Sequence, residues 1–123
     1  MDLGFFLTET DASPKHVGGL LMFSKPTAAA DDYVEKLVDE YACNIDEIRA
    51  PFNQIIQFSV FKAPSWECDK NFDISKHVFY HTIEGDDFRD SLYDLIGELH
   101  SVRMDRSRPM WEMHVIQGID DKR

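Results

Sequence analysis

The chain has 123 residues, of which 43% are hydrophobic and 12% aromatic, and its net charge is −10. That length and composition suit one small domain with a packed core. The acidic balance argues against nucleic-acid binding, which needs Lys and Arg on phosphates, and against recruitment to anionic lipid by charge alone.

Residues 1 to 13 read as an entry segment in which Phe5, Phe6 and Leu7 need burial. The opening Met1-Asp2-Leu3 carries an acid where a signal peptide carries positive charge, so export is not expected. The apolar run His16 to Phe23 predicts a buried strand and is far too short to span a bilayer. Gly18-Gly19 inside it suggests a bulge, a close approach of another group to the backbone, or a flexible strand start. A first helix is predicted over Thr27 to Ala42, with Val34, Leu37, Val38 and Tyr41 on one stripe and Asn44 as its stop. Asp31, Asp32 and Glu35 lie early in it, where the helix dipole favours negative charge. Pro51 breaks any helix beyond, and Ile55 to Phe61 reads as a strand or an apolar loop.

Ala63 to Lys70 suits a short strand, and Phe72 to Ile83 reads as extended chain. A second helix follows, capped by Asp86 or Asp87, with Phe88, Leu92, Leu95, Ile96 and Leu99 at helical spacing and an end near His100. The charged turn Asp105-Arg106-Ser107-Arg108 leads through Pro109 into a last strand, Met110 to Ile119. In that strand Trp111, Met113, Val115 and Gln117 alternate with Glu112, His114 and Ile116, and Trp111 is expected as a buried anchor. Gly118 to Asp121 then reads as a turn toward a further strand, which predicts an interrupted sheet whose open edge invites association. This order of strands and helices defines the α/β class.

Three blocks carry a resemblance. The stretch Asp105-Arg106-Ser107-Arg108-Pro109-Met110-Trp111-Glu112 resembles the Asp-Arg-Ser-Arg-Pro-Leu-Trp-Glu stretch of the bacterial wax ester synthase/diacylglycerol acyltransferase family, with Met110 in place of Leu. Phe5 to Glu9 with Pro14 to Leu20 is similar to the opening of those enzymes, with Lys15 where Met is common. Phe72-Asp73-Ile74-Ser75-Lys76-His77-Val78 is similar to a central block of the family. The resemblance implies one incomplete domain over residues 1–123. This would be part of the N-terminal lobe of the CoA-dependent acyltransferase and condensation-domain fold, a mixed sheet packed with helices.

It implies that the whole enzyme transfers a fatty acyl group from acyl-CoA to a long-chain alcohol or to diacylglycerol, with no metal or other cofactor. The family signature His-His-x-x-x-Asp-Gly would follow Arg123, since these residues hold no His-His pair. No catalytic residue is therefore expected within them. The remainder of the enzyme, in the same or a second chain, is then the partner. The resemblance also implies a cytoplasmic protein, peripheral at the inner membrane or at lipid inclusions.

The residues themselves leave several roles open. The resemblance implies a place for Pro109, Met110, Trp111 and Glu112 in or behind the substrate channel. Arg106 suits a fork-like pair with a carboxylate such as Glu112 that holds the loop rigid; the alternative for Arg106 and Arg108 is contact with the phosphates of coenzyme A. His77 and His81 do not make a zinc pair: Val78 stands where a zincin needs Glu, and on a strand four residues span roughly 13 Å. They read as two His on the more polar face of a strand. Isolated His16 and His114 read as structural, and Cys43 and Cys68 as reduced thiols without metal spacing. The competing reading is a free-standing acidic α/β domain that binds a lipid or protein partner without catalysis.

Overall fold

A computed structural model describes residues 3–43, 48–85 and 87–118. The helix stop at Asn44, the alternative cap Asp86 and the closing turn after Gly118 lie outside the described residues. The elements are α1 (Leu3–Thr8), α2 (Tyr33–Cys43), β1 (Gln54–Gln57), β2 (Ser65–Cys68), β3 (Val78–Ile83), α3 (Phe88–Ser101) and β4 (Met113–Gly118). Strands β1 and β2 form one two-stranded sheet and β3 and β4 another. The chain groups into two compact units, residues 1–29, 82–104 and 116–123, and residues 30–81 and 105–115.

In the first unit, helix α3 follows the predicted stripe: Leu92 is buried, and Phe88, Leu95, Ile96 and Leu99 are partly covered. Asp87 stands at its N-cap but makes no side-chain capping bond. Gly118, at the end of β4, lies under the Phe88 ring, and a Cβ there would sit 2.6 Å from Phe88 Cδ2. Ile83, at the end of β3, and Leu92 are the buried hydrophobic side chains among the described residues.

The N-terminal segment is anchored by polar contacts. Arg103 Nε donates to Glu9 Oε2 at 3.2 Å and Arg103 Nη1 to Asp11 Oδ1 at 3.1 Å, while the Lys15 amide donates to Glu9 Oε1 at 3.2 Å. The expected burial of the entry segment does not hold for Phe5 and Leu7, which are exposed on the short helix α1; Phe6 is partly covered.

The strand expected over His16 to Phe23 is absent: these residues are irregular, and Val17 is 93% exposed. A strand is held by a ladder of backbone bonds to a neighbour, and no described strand pairs with this run. Nor does a group crowd Gly18-Gly19. A Cβ on Gly18 would meet His100 at an ordinary 3.9 Å, and one on Gly19 would meet nothing.

In the second unit, helix α2 starts at Tyr33 and not at Thr27. Backbone turns from Pro26 to Ala29 and from Ala30 to Tyr33 occupy the earlier residues. The Asp32 carbonyl accepts the Lys36 amide at 3.0 Å, and the Asp32 carboxylate lies 2.6 Å from Lys36 Nζ. The stripe is half covered, with Val34 and Val38 partly buried and Leu37 and Tyr41 exposed.

The antiparallel β1–β2 pair aligns Gln54 with Cys68 and Gln57 with Ser65. Phe58 to Phe61 leave β1 as an exposed loop. The extended reading of Phe72 to Ile83 is broken by a 3-10 turn, Ile74–Lys76. Asp73 causes it: its carboxylate accepts from the Ser75 amide at 3.1 Å and the Ser75 hydroxyl at 2.7 Å.

The last strand begins at Met113, three residues later than expected, because the Trp111 amide turns back onto the Pro109 carbonyl at 3.0 Å. A backbone engaged in such a tight turn is withdrawn from the ladder.

Candidate functional site

In the second unit Trp111, from the Asp105–Glu112 stretch, meets Phe72 and His77 of the Phe72–Val78 block, and Phe52. Asp105 repeats the device of Asp73. Its carboxylate accepts from the Ser107 amide at 2.9 Å and the Ser107 hydroxyl at 2.7 Å, and these bonds hold it below the usual carboxylate range. The turn delivers Pro109, which is buried, and then Met110 and Trp111, both partly buried.

His77 is the most enclosed side chain among the described residues, at 1% exposed. Its ring stacks on Phe72 (centroids 5.0 Å apart, planes at 12°) and on Trp111 (4.7 Å, 24°), and those two rings lie 6.4 Å from each other. A buried imidazole needs a hydrogen-bond partner. His77 Nδ1 finds one in the Trp111 carbonyl at 2.8 Å. A carbonyl only accepts, so Nδ1 carries the proton. The His77 carbonyl in turn accepts the Met113 amide at 2.7 Å. Trp111 is held on its other side: its Nε1 donates to the Phe52 carbonyl at 2.7 Å, and the Phe52 ring meets it edge-on at 6.3 Å.

Beside this cluster runs a polar chain. His81 Nε2 lies 2.9 Å from His114 Nδ1, and His114 Nε2 lies 3.1 Å from Glu112 Oε2. The carboxylate accepts, so His114 Nε2 donates; in neutral His114 the Nδ1 then accepts from His81. Burial, and then the neighbouring His114, push His81 below its ordinary value. Phe79 stacks on His114 at 4.8 Å and 14°. The other Glu112 oxygen faces Arg108 Nη2 at 3.5 Å, and Arg108 Nε lies 3.9 Å from Asp105. Arg108 is thus placed between two carboxylates, and Arg106 lies partly buried in the same loop.

Among the described residues no group of three or more His, Cys, Asp or Glu is arranged to hold a metal ion. His77 and His81 are each engaged elsewhere, with the Trp111 carbonyl and with His114. His77 does not lie on a polar face, as the sequence reading expected: it precedes β3 and is buried among aromatic rings. Its enclosure and the His81–His114 contact escape sequence reasoning because they join residues 34 and 33 positions apart. The one signal pointing toward His77 is its place in the Phe72–Val78 block.

The Pro109–Trp111 turn is thus packed on the Phe72–Val78 block within an α/β chain. The chain belongs to the wax ester synthase/diacylglycerol acyltransferase catalytic domain family, whose model matches residues 1–123. It is 31% identical over 125 residues to a putative diacylglycerol O-acyltransferase of Mycobacterium bovis, covering 99% of this chain and 27% of that protein. It is 29% identical to the O-acyltransferase WSD of Acinetobacter baylyi, covering 100% of this chain and 26% of that protein. The fold is similar to that of the wax ester synthase/diacylglycerol acyltransferase from Marinobacter aquaeolei VT8. That likeness has a TM-score of 0.86 at 36% identity and covers 98% of this chain and 29% of the solved one. The chain therefore spans roughly a quarter of each of these relatives. No helix among the described residues is long and apolar enough to cross a membrane.

Proposed function

We propose that residues 1–123 form one lobe segment of an enzyme that transfers a fatty acyl group from acyl-CoA to a long-chain alcohol or to diacylglycerol. The observation that carries this reading is a family match running the length of the chain, joined to a structural likeness over 98% of it. In this reading a His of the His-His-x-x-x-Asp-Gly signature, outside these residues, takes the proton from the acceptor hydroxyl as it attacks the thioester carbonyl. No metal takes part. Pro109, Met110, Trp111 and Glu112 shape and support the channel. Arg108, already paired with Asp105 and Glu112, stiffens the loop. Arg106 stiffens the same loop or meets a CoA phosphate. The complete enzyme works in the cytoplasm, peripheral to the inner membrane or to lipid inclusions.

The test is a product assay with acyl-CoA and either hexadecanol or diacylglycerol. The gene product at the length of its relatives should form wax ester or triacylglycerol, and purified residues 1–123 should form neither above a no-protein control. Product from residues 1–123 alone would overturn the reading, and so would an inert longer polypeptide that folds.

A further inference from the structure

We infer that His77 is a positioning residue for acyl transfer: it latches the Pro109–Trp111 turn through the Trp111 main chain, and so sets the channel wall from a different stretch of sequence. The inference rests on the function proposed above and adds a role for a residue that does not meet substrate.

Three observations carry it. First, a polar ring occupies the most enclosed position described, 1% exposed, stacked on two aromatic rings. Phe or Leu would fill that volume without needing a hydrogen-bond partner, so packing alone does not account for an imidazole. Second, the partner is a main-chain carbonyl, that of Trp111 at 2.8 Å. A bond to the main chain reports backbone position whatever side chain stands there. With the Met113 amide on the His77 carbonyl at 2.7 Å, one residue holds the chain at two points where the turn ends. Third, both arms of the latch are prepared alike. Asp73 with Ser75 sets the turn before His77, and Asp105 with Ser107 sets the turn before Pro109. Each fixes its backbone locally, so the Nδ1 bond joins two stiff pieces.

The chemistry separates the stack from the donor. His77→Phe keeps a flat ring against Phe72 and Trp111 but cannot donate. Asn keeps an N–H near the place of Nδ1 but loses most of the stack. A channel wall displaced by about an ångström costs on the order of 100-fold in rate.

The experiment uses the complete gene product with Trp66→Phe, so that Trp111 can be followed by fluorescence against the remaining tryptophans. His77→Phe should keep a cooperative melt and lower kcat by roughly 10- to 100-fold, with KM for acyl-CoA changed less than about threefold. His77→Asn should restore kcat to within about threefold of the parent. Acrylamide quenching attributable to Trp111, by difference from a Trp111→Phe control, should rise in His77→Phe and fall back in His77→Asn.

Parental kcat and parental quenching in His77→Phe would overturn the latch. A melting temperature lowered in both variants with kcat unchanged would overturn it too, leaving His77 as core filling. If the complete protein transfers no acyl group, the proposed function fails. Quenching then decides the latch by itself: restoration by Asn supports it, and no difference between Phe and Asn overturns it.

Discussion

Around His77 a polar ring is enclosed, while along Val17 to Phe23 five apolar side chains lie open, so two regions of one chain invert the usual order of hydropathy. In the first, Phe72 and Trp111 cover the imidazole and the Trp111 carbonyl satisfies it. In the second, Val17, Leu20, Leu21, Met22 and Phe23 are all half exposed or more. The difference lies in partners and not in composition. A buried position is made by complementary groups arriving from elsewhere in the chain. An apolar run states only that cover is needed, and burying it would release water from its surface wherever a neighbour meets it.

The contrast is broken or upheld by paired truncations in the 123-residue protein. Trp111→Ala removes the ring that covers His77 and the bond to the Phe52 carbonyl. It should cost about 3 kcal/mol, the low end for a Trp because the ring is partly exposed. Val17→Ala, at a site 93% exposed, should stay within about 0.5 kcal/mol. Urea unfolding followed by circular dichroism gives both values, and equal losses would show that the open run is covered in solution.

A second test asks whether the first unit has a tight point of its own. Gly118 lies under Phe88, where a methyl group would press on Cε2 and sit 2.6 Å from Cδ2. Gly118→Ala should cost roughly 1–2 kcal/mol, since the ring must tilt or β4 must shift. Phe88→Leu in the same chain should recover part of that loss. A double-mutant cycle measures the coupling. Additive effects would mean that the two residues do not meet.

How much was legible follows the same division. The α3 stripe from Phe88 to Leu99 is local, so helical spacing found it, and its buried residue Leu92 lies on the predicted face. The acyltransferase resemblance was legible because its motifs are contiguous, and the family match agrees with it. The strand expected over His16 to Phe23 does not form, because an apolar run describes one strand and a ladder needs two. The later starts of α2 and β4 follow from backbone turns, at Pro26–Tyr33 and at Pro109, which act over a few residues and outrank pattern. The His77 latch and the His81–His114–Glu112 chain were invisible because only the folded chain brings β3 beside the 111–114 stretch.

The smallest effect concerns the polar chain beside the latch. His81 is pushed below its ordinary value by burial and by His114. The groups seen around that contact are His114 from β4, Phe79 stacked on it, and Glu112 with Arg108 behind. In the unfolded chain His81 takes a proton near pH 6.5, while in the folded chain it does so only at lower pH. Between those values the unfolded state binds more protons, so stability rises with pH. The contribution is fully present above about pH 6.5 and is lost as pH falls through the folded value. Asp73 and Asp105, whose carboxyls are also held low, lose their share only in stronger acid, below their ordinary 3.8. The window from about pH 5 to 7 therefore belongs to histidines. Thermal melts across it should show the parent losing more stability toward pH 5 than His81→Asn does. Parallel curves would mean that the His81–His114 contact does not disfavour the charged form, and that the chain beside the latch is open to solvent.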